Sequence, residues 1–211
     1  MPDSSAAPPS HPLHTGWTIR LDPEQRTRGS SSWLDGLHAL PAFSSVESFW
    51  ALWSRLVPLS ALKRGAIYVF REHTKPSWES WPDGGKWELS FAADAPAAAV
   101  DALWEALALA LVGEQLWLGV RPERICGAVA GVRGRGVRRL GVWTSDAEER
   151  DIATLGARLR ELLRPLPPGC DELVFSPHAG ARRGATRSRF TLVEDGVSLV
   201  AVPSESEESE T

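Results

Sequence analysis

The chain has little of several things that would announce a function. Two cysteines stand among 211 residues, Cys126 and Cys170, too few to staple a secreted scaffold. A reducing compartment, cytosol or nucleus, is therefore expected, with both thiols buried as small hydrophobes. No apolar run approaches the roughly 18 residues that cross a bilayer, so no membrane partner is expected. Met1 to Ser10 lacks the charged and apolar regions of a secretory leader. Catalytic signatures are missing as well: there is no Gly-x-Ser-x-Gly elbow and no phosphate loop ending in Gly-Lys-Ser/Thr. His11, His14, His38, His73 and His178 show no metal-ligand spacing, and no carboxylate pair is evident. The expectation is a chain that is not an enzyme and needs neither metal nor cofactor. Acids outnumber bases slightly, 27 Asp and Glu against 23 Lys and Arg. The net charge of −4 argues against a surface coated in nucleic acid, though not against a local basic site.

Tryptophan is in excess. Ten indoles accompany a single tyrosine, and a core rarely needs so many rings with an N–H to satisfy. Some of them should stand on a surface and recognise something. Arginine is uneven too. Arg121, Arg124, Arg133, Arg135, Arg138 and Arg139 crowd one stretch, and Arg182, Arg183, Arg187 and Arg189 another. Acid gathers elsewhere, as in the tail from Ser204 to Thr211.

Residues 1–10 read as a disordered lead-in and 204–211 as a disordered acidic tail, leaving 11–203 as one domain. Three helices are predicted. The first starts near Ser44, where Ser44 and Glu47 have capping-box spacing, and continues through Val46, Phe49, Trp50, Trp53 and Leu56. The second runs from about Ala97 to Val112 and stops at Gly113. The third begins near Asp146, shows Ile152, Leu155, Leu159 and Leu162 on one face, and ends before Pro165. Strands are predicted at Trp17–Leu21, Ala66–Phe70, Lys86–Phe91, Gly127–Val132, Leu140–Trp143, Glu172–Phe175 and Arg189–Val193. Gly127 to Trp143 reads as a hairpin turning on Gly134-Arg135-Gly136. Together these give an α+β domain, an antiparallel sheet with helices on one face and the other face free.

The chemistry concentrates in Lys75-Pro76-Ser77-Trp78-Glu79, which leads to Gly84-Gly85-Lys86-Trp87. Proline and paired glycines make this a loop entering a strand, so Trp78 has no apolar stripe to explain it. An indole face attracts a cation, and a carboxylate accepts from paired N–H donors. A guanine methylated at N7 offers both, a cationic ring and two edge donors. The bland reading is a packed Trp78 beside a solvated Glu79. Trp33 follows the polar stretch Arg28-Gly29-Ser30-Ser31-Ser32 and is a second loop tryptophan able to close a sandwich, or to plug the loop from below.

From His11 to about Val193 the chain resembles the translation initiation factor 4E family. The matching pieces are His11-Pro12-Leu13, Trp17, Trp33, Phe43 to Trp50, Pro76-x-Trp78-Glu79, Gly84 to Trp87, Trp104, Gly113-Glu114, Cys126 to Val129, Val132-Arg133, Trp143-Thr144 and His178-Ala179. The resemblance implies a curved antiparallel sheet of about eight strands with three long helices on its convex face. It implies that Trp33 and Trp78 stack on the methylated guanine of the mRNA cap, that Glu79 reads the N1 and N2 edge, and that Trp143 lies near the N7 methyl. Arg133 matches a triphosphate-binding position. A second phosphate-binding position, usually lysine, falls on Arg139 counted from Trp143, or on Arg138 because the hairpin is one residue longer. Arg182, Arg183 or Arg187 would replace a lysine of the C-terminal loop. Arginine can fork onto phosphate oxygens in each place.

The resemblance also implies a second site on the helical back. His11, Pro12, Val46, Trp50 and Leu109 match the surface that takes a Tyr-x-x-x-x-Leu-apolar helix from a 4G-type initiation scaffold or a 4E-binding repressor. From periodicity alone, Trp50 reads as core. Glu105 and Ala106 stand where the family has an apolar residue and then an acid, which puts partner preference in question. The function implied is cap binding with scaffold recruitment, by a monomer in the cytoplasm, with the nucleus as a further compartment. Two other readings stand beside it: a cap-binding repressor that fails to recruit the scaffold, and a nonspecific single-stranded RNA binder. Glu79 counts against the last, because an acid in a phosphate groove costs affinity unless it reads a base.

Overall fold

The computed structural model describes residues 10–22, 33–117, 120–166, 170, 173–178, 187–193 and 196–202, with Trp33, Trp117 and 187–202 described by their backbone alone. The expected disordered tail lies outside the described residues, as does the lead-in apart from Ser10.

Strand β1 (Pro12–Asp22) is followed by two short strands, β2 (His38–Ala39) and β3 (Phe43–Ser45), and by helix α1 (Val46–Trp53). Then come β4 (Gly65–Arg71), β5 (Gly85–Phe91), α2 (Ala97–Val112), β6 (Ile125–Val132), β7 (Arg138–Thr144) and α3 (Glu149–Leu162). The described chain ends with β8 (Val174–Pro177), β9 (Arg187–Val193) and β10 (Gly196–Val202). All pairings among these strands are antiparallel. The order across the curved sheet is β10-β9-β8-β5-β7-β6-β4-β1-β2, with β3 also on β1. Eight strands have four residues or more, in keeping with the expected eight.

Side chains alternate across a strand, so each strand feeds two faces. One face carries Trp17, Ile19, Ile67, Val69, Trp87, Leu89, Phe91, Ala128, Ala130, Leu140 and Val142 into the main core beneath the helices. The Trp87 ring fits under α3 because residue 156 is glycine: a Cβ there would come within 2.4 Å of the ring. The Trp87 indole N–H donates to the Ile152 carbonyl at 3.1 Å, so the buried ring is satisfied. Trp17, Trp53, Trp87 and Trp104 are core, which accounts for four of the ten indoles.

Two helix starts differ from the sequence reading. The capping box of α1 is Ser45 and Ser48, one residue later than Ser44 and Glu47. Ser45 Oγ accepts from the Ser48 N–H at 3.1 Å, and Ser48 Oγ accepts from the Ser45 N–H at 3.0 Å. Glu47 is drawn away instead: it accepts from the His11 backbone N–H at 3.0 Å and sits 2.6 Å from His11 Nδ1. Helix α3 starts at Glu149, not near Asp146. Asp146, Glu148 and Asp151 converge on the Arg124 guanidinium at 2.8, 2.5 and 2.6 Å, which holds the residues before the helix extended. The second helix has the expected bounds, but the left-handed residue beyond it is Glu114, φ 61°, and not Gly113. No described helix is long and apolar enough to cross a membrane.

Candidate functional site

The face away from the helices is read directly from the strand registers. Its first row runs Thr18, Phe70, Gly127, Trp143, Lys86, Ser176 across β1, β4, β6, β7, β5 and β8. The second runs Arg20, Tyr68, Val129, Gly141, Glu88, Val174, and the third Asp22, Ala66, Gly131, Arg139, Ser90. The first row is thus aromatic at its centre, and the third presents Arg139 four residues down the same strand, roughly 13 Å away at strand rise. Glycine at 127, 131 and 141 keeps the middle of the face low. Gly127 is required by Phe70, whose ring would meet a Cβ at 2.6 Å. Phe70 in turn meets Trp143 edge-on at 5.7 Å.

The loop that carries Trp78 joins the top of β4 to the top of β5, so it overhangs this aromatic row. Trp78–Ser80 form a single 3-10 turn, closed by the Ser80 N–H to Ser77 O at 3.1 Å and the Trp81 N–H to Trp78 O at 3.1 Å. Trp78 is half-buried and Glu79 exposed. Glu79 accepts from Ser77 Oγ at 2.5 Å. That hydroxyl, together with Glu79's own backbone N–H, holds the carboxyl below the usual carboxylate range, so Glu79 is ionised at neutral pH. Trp33 opens a second 3-10 turn, Trp33–Gly36. Leu37, which follows it, packs on the cluster of Ala66, Tyr68, Phe70 and Cys126, so this turn also borders the free face.

The arginines separate cleanly. Arg139 lies on the free face with Trp143. Arg138 lies on the opposite one, packed toward the helices, where it donates to Ala93 O at 3.3 Å and Ser60 O at 3.4 Å. The idea that Arg138 takes the phosphate-binding role is therefore corrected. The extra hairpin residue is absorbed in the turn, where Arg135 is left-handed at φ 61°, and the register counts back from Trp143 in twos to Arg139. Arg133, exposed just past β6, follows Gly131 by two and projects to the free face by alternation. Arg182 and Arg183 lie outside the described residues, and Arg187 opens β9.

Sequence reasoning missed three residues here. Lys86 and Glu88 stand on the free face in a strand noticed only for its apolar side. The signal was present: the alternation Lys86, Glu88, Ser90 against Trp87, Leu89, Phe91. The third is His178, which is buried and packs against Trp143 with ring centroids 4.7 Å apart. Burial, with Lys86 nearby, pushes its pKa down to about 4, so the imidazole is neutral at pH 7. A neutral ring beside Trp143 adds no repulsion toward a cationic ligand. His178 Nε2 and the indole nitrogens of Trp81 and Trp143 are buried with no partner among the described residues.

His178 gives a pH prediction. In the unfolded chain it takes up a proton near the ordinary 6.5, whereas the folded chain resists until about 4. Stability should therefore fall as pH drops through that window, by about 2 kcal/mol between pH 6.5 and 5. Thermal melts of the wild type and His178→Asn across these pH values test it. The variant should be flatter; parallel curves would refute the assignment.

The helical back holds the second predicted constellation. The large hydrophobics left exposed among the described residues include Val46 at 40%, Trp50 at 41% and Leu109 at 36%, three of the predicted partner residues. Trp50 is thus a surface ring, resting edge-on against Phe49 at 5.1 Å. His11 and Pro12 are fastened beside them: the Val46 N–H donates to His11 O at 2.9 Å, and Pro12 pairs with Ser45. Trp50, Trp53, Val57, Pro58, Trp104 and Glu105 line a groove of about 360 Å³. Glu105 Oε2 accepts from the Trp53 indole at 3.1 Å, so the acid bridges α1 and α2 inside that groove.

Comparison with known proteins agrees with this geometry. The family model described as "Eukaryotic initiation factor 4E" matches residues 12–191. Eukaryotic translation initiation factor 4E-1 of Arabidopsis thaliana is 36% identical over 163 residues, covering 75% of this chain and 66% of that one. Eukaryotic translation initiation factor 4E of Aplysia californica is 31% identical over 189 residues, covering 86% and 84%. Among solved structures, the complex of C. elegans eIF4E-3 with the 4E-binding protein Mextli and cap analog superimposes with a TM-score of 0.70 at 28% identity, covering 82% of this chain and 95% of that one.

Proposed function

The chain belongs to the eukaryotic initiation factor 4E family, and on that premise we propose that it binds the 7-methylguanosine cap of mRNA and recruits an initiation scaffold through its helical back. The observation that carries the cap reading is the free face itself. It sets Trp143, the overhanging Trp78-Glu79 turn and the Trp33 turn at the aromatic side of an open sheet, with Arg139 down the same strand.

Each residue then has a role. Trp33 and Trp78 stack on the cationic base, each ring face drawn to its positive charge. Glu79, already ionised, accepts from the two N–H donors of the guanine edge, a charge-assisted pair that unmethylated bases other than guanine cannot supply. Trp143, with neutral His178 behind it, meets the N7 methyl. Arg139 and Arg133 take phosphate oxygens, and Arg182 or Arg183 adds to them. On the back, His11, Pro12, Val46, Trp50 and Leu109 receive a helix with spaced apolar anchors. The place of work is the cytoplasm, where capped mRNA is translated.

The test is a titration of intrinsic tryptophan fluorescence with 7-methyl-GTP and with GTP. Strong quenching by the methylated ligand alone is expected. Equal response to both would leave a nonspecific nucleotide binder. The acid in the dorsal groove favours altered partner choice over altered cap choice, because Glu105 lies on the opposite side of the sheet from the base slot.

A further inference from the structure

On the free face an acid stands between the aromatic row and the phosphate end. Glu88 occupies the second row, opposite Gly141, with no side chain between it and the strand of Arg139. Both of its oxygens are engaged. Oε1 accepts from Arg139 Nη1 at 3.0 Å, and Oε2 accepts from the Lys86 ammonium. Its side chain is 20% exposed, against 43% for Arg139, so the acid is the more enclosed of the pair. Arg139 Nε has no partner among the described residues, so the guanidinium spends one arm on the acid and keeps other donors.

We propose that Glu88 is a resident counter-ion of the phosphate subsite, an anion built into the sheet that competes with the ligand's phosphates for Arg139 and Lys86. The proposal rests on the cap reading above and adds what sets the strength of its phosphate half. Without a ligand, one carboxylate shared by two cations keeps both folded over the face and lowers the mutual repulsion of Lys86 and Arg139. When a phosphate chain arrives, its oxygens meet cations already half-neutralised. They also meet a like charge in a partly buried place, where screening by water is weak. The base half of the ligand lies toward Trp143, away from Arg139, and feels this competition less, through Lys86 alone. Glu88 thus lowers the contribution of the triphosphate relative to that of the base, so that recognition depends more on the methylated guanine than on phosphate charge.

The sign of one substitution separates this from a purely structural role. Glu88→Gln keeps the shape and removes the charge. If Glu88 is a competitor, the variant binds 7-methyl-GTP more tightly, by roughly fivefold or more, since one like-charge contact at about 4 Å carries that much even in bulk water. Its affinity for 7-methylguanosine without phosphates stays within about twofold, and its binding of the triphosphate becomes more sensitive to salt. If Glu88 only props Arg139 in place, the variant binds the triphosphate more weakly, and the proposal is overturned. Unchanged triphosphate affinity overturns it too, as does an equal change for nucleoside and triphosphate. The nucleoside serves as the control for folding, and Glu88→Ala should give the same sign as Glu88→Gln. Failure of the cap reading looks different: wild-type protein that does not prefer methylated analogues removes the ligand, and this proposal with it.

Discussion

Alanine at Trp78 is expected to weaken 7-methyl-GTP binding by about 1–3 kcal/mol, a roughly five- to 150-fold rise in Kd, with little change in melting temperature. The size follows from what the ring supplies. A tryptophan face is the strongest of the aromatic faces toward a cation, and the attraction grows when water leaves the slot. The selectivity of the effect follows from where the ring sits. Trp78 is half-buried on a turn closed by backbone hydrogen bonds, Ser80 to Ser77 and Trp81 to Trp78, which do not need the indole. Glu79 should stay in place after the substitution, since Ser77 Oγ is its partner. Titration calorimetry paired with thermal melts checks both halves. Wild-type affinity in Trp78→Ala would remove the sandwich, and a collapse of stability would make Trp78 a core residue.

Trp50→Ala should have the largest effect on the other face, a loss of about 2 kcal/mol or more in binding a Tyr-x-x-x-x-Leu-apolar helical peptide, roughly 30-fold. Large aromatic rings at the centre of a contact commonly carry such shares of its energy. Trp50 is exposed at 41% yet braced edge-on by Phe49, so its orientation is set before any partner arrives. Cap affinity should not move, because Trp50 lies on the helical side of the sheet. Fluorescence anisotropy of a labelled peptide measures the loss, and full-strength binding by the variant would take the helical back out of partner recognition. Glu105 makes the peptide series informative. The acid lines the same groove and is held by the Trp53 indole, so peptides with a basic residue near their leucine anchor meet a partner that an all-apolar groove lacks.

Much of this was legible in the sequence, for identifiable reasons. Apolar runs gave the central strands β4 and β6, because both of their faces are largely buried, one in the main core and one around Ala66, Tyr68, Phe70 and Cys126. The turn Gly134-Arg135-Gly136 marked the hairpin because a left-handed residue and two glycines turn a chain tightly. Where the reading slipped, a long-range contact decided the local structure. Ser44 and Glu47 have capping-box spacing, but Glu47 is claimed by His11, 36 residues away, and the cap moved on to Ser45 and Ser48. The start of α3 was misplaced because Asp146 and Glu148 serve Arg124 from another part of the chain. Both are tertiary pairings that local spacing does not encode. The choice between Arg138 and Arg139 was different. It turned on parity, and parity needed the register of β7 against β5 and β6. Lys86 and Glu88 are hard to single out in the sequence because polar residues alternating with Trp87, Leu89 and Phe91 are what any half-solvated strand shows.

That parity reaches beyond the binding sites. In β5 and β7 adjacent residues answer to different demands: Glu88 and Arg139 pair with each other on the free face, while Trp87 packs under α3 and Arg138 donates to the carbonyls of Ser60 and Ala93. A saturation scan of these strands would show phenotypes with a period of two, cap affinity failing at one codon and folding at the next. Neighbouring codons can therefore drift under unrelated pressures, and the ligand face can be retuned one residue at a time while the scaffold beneath it stays fixed.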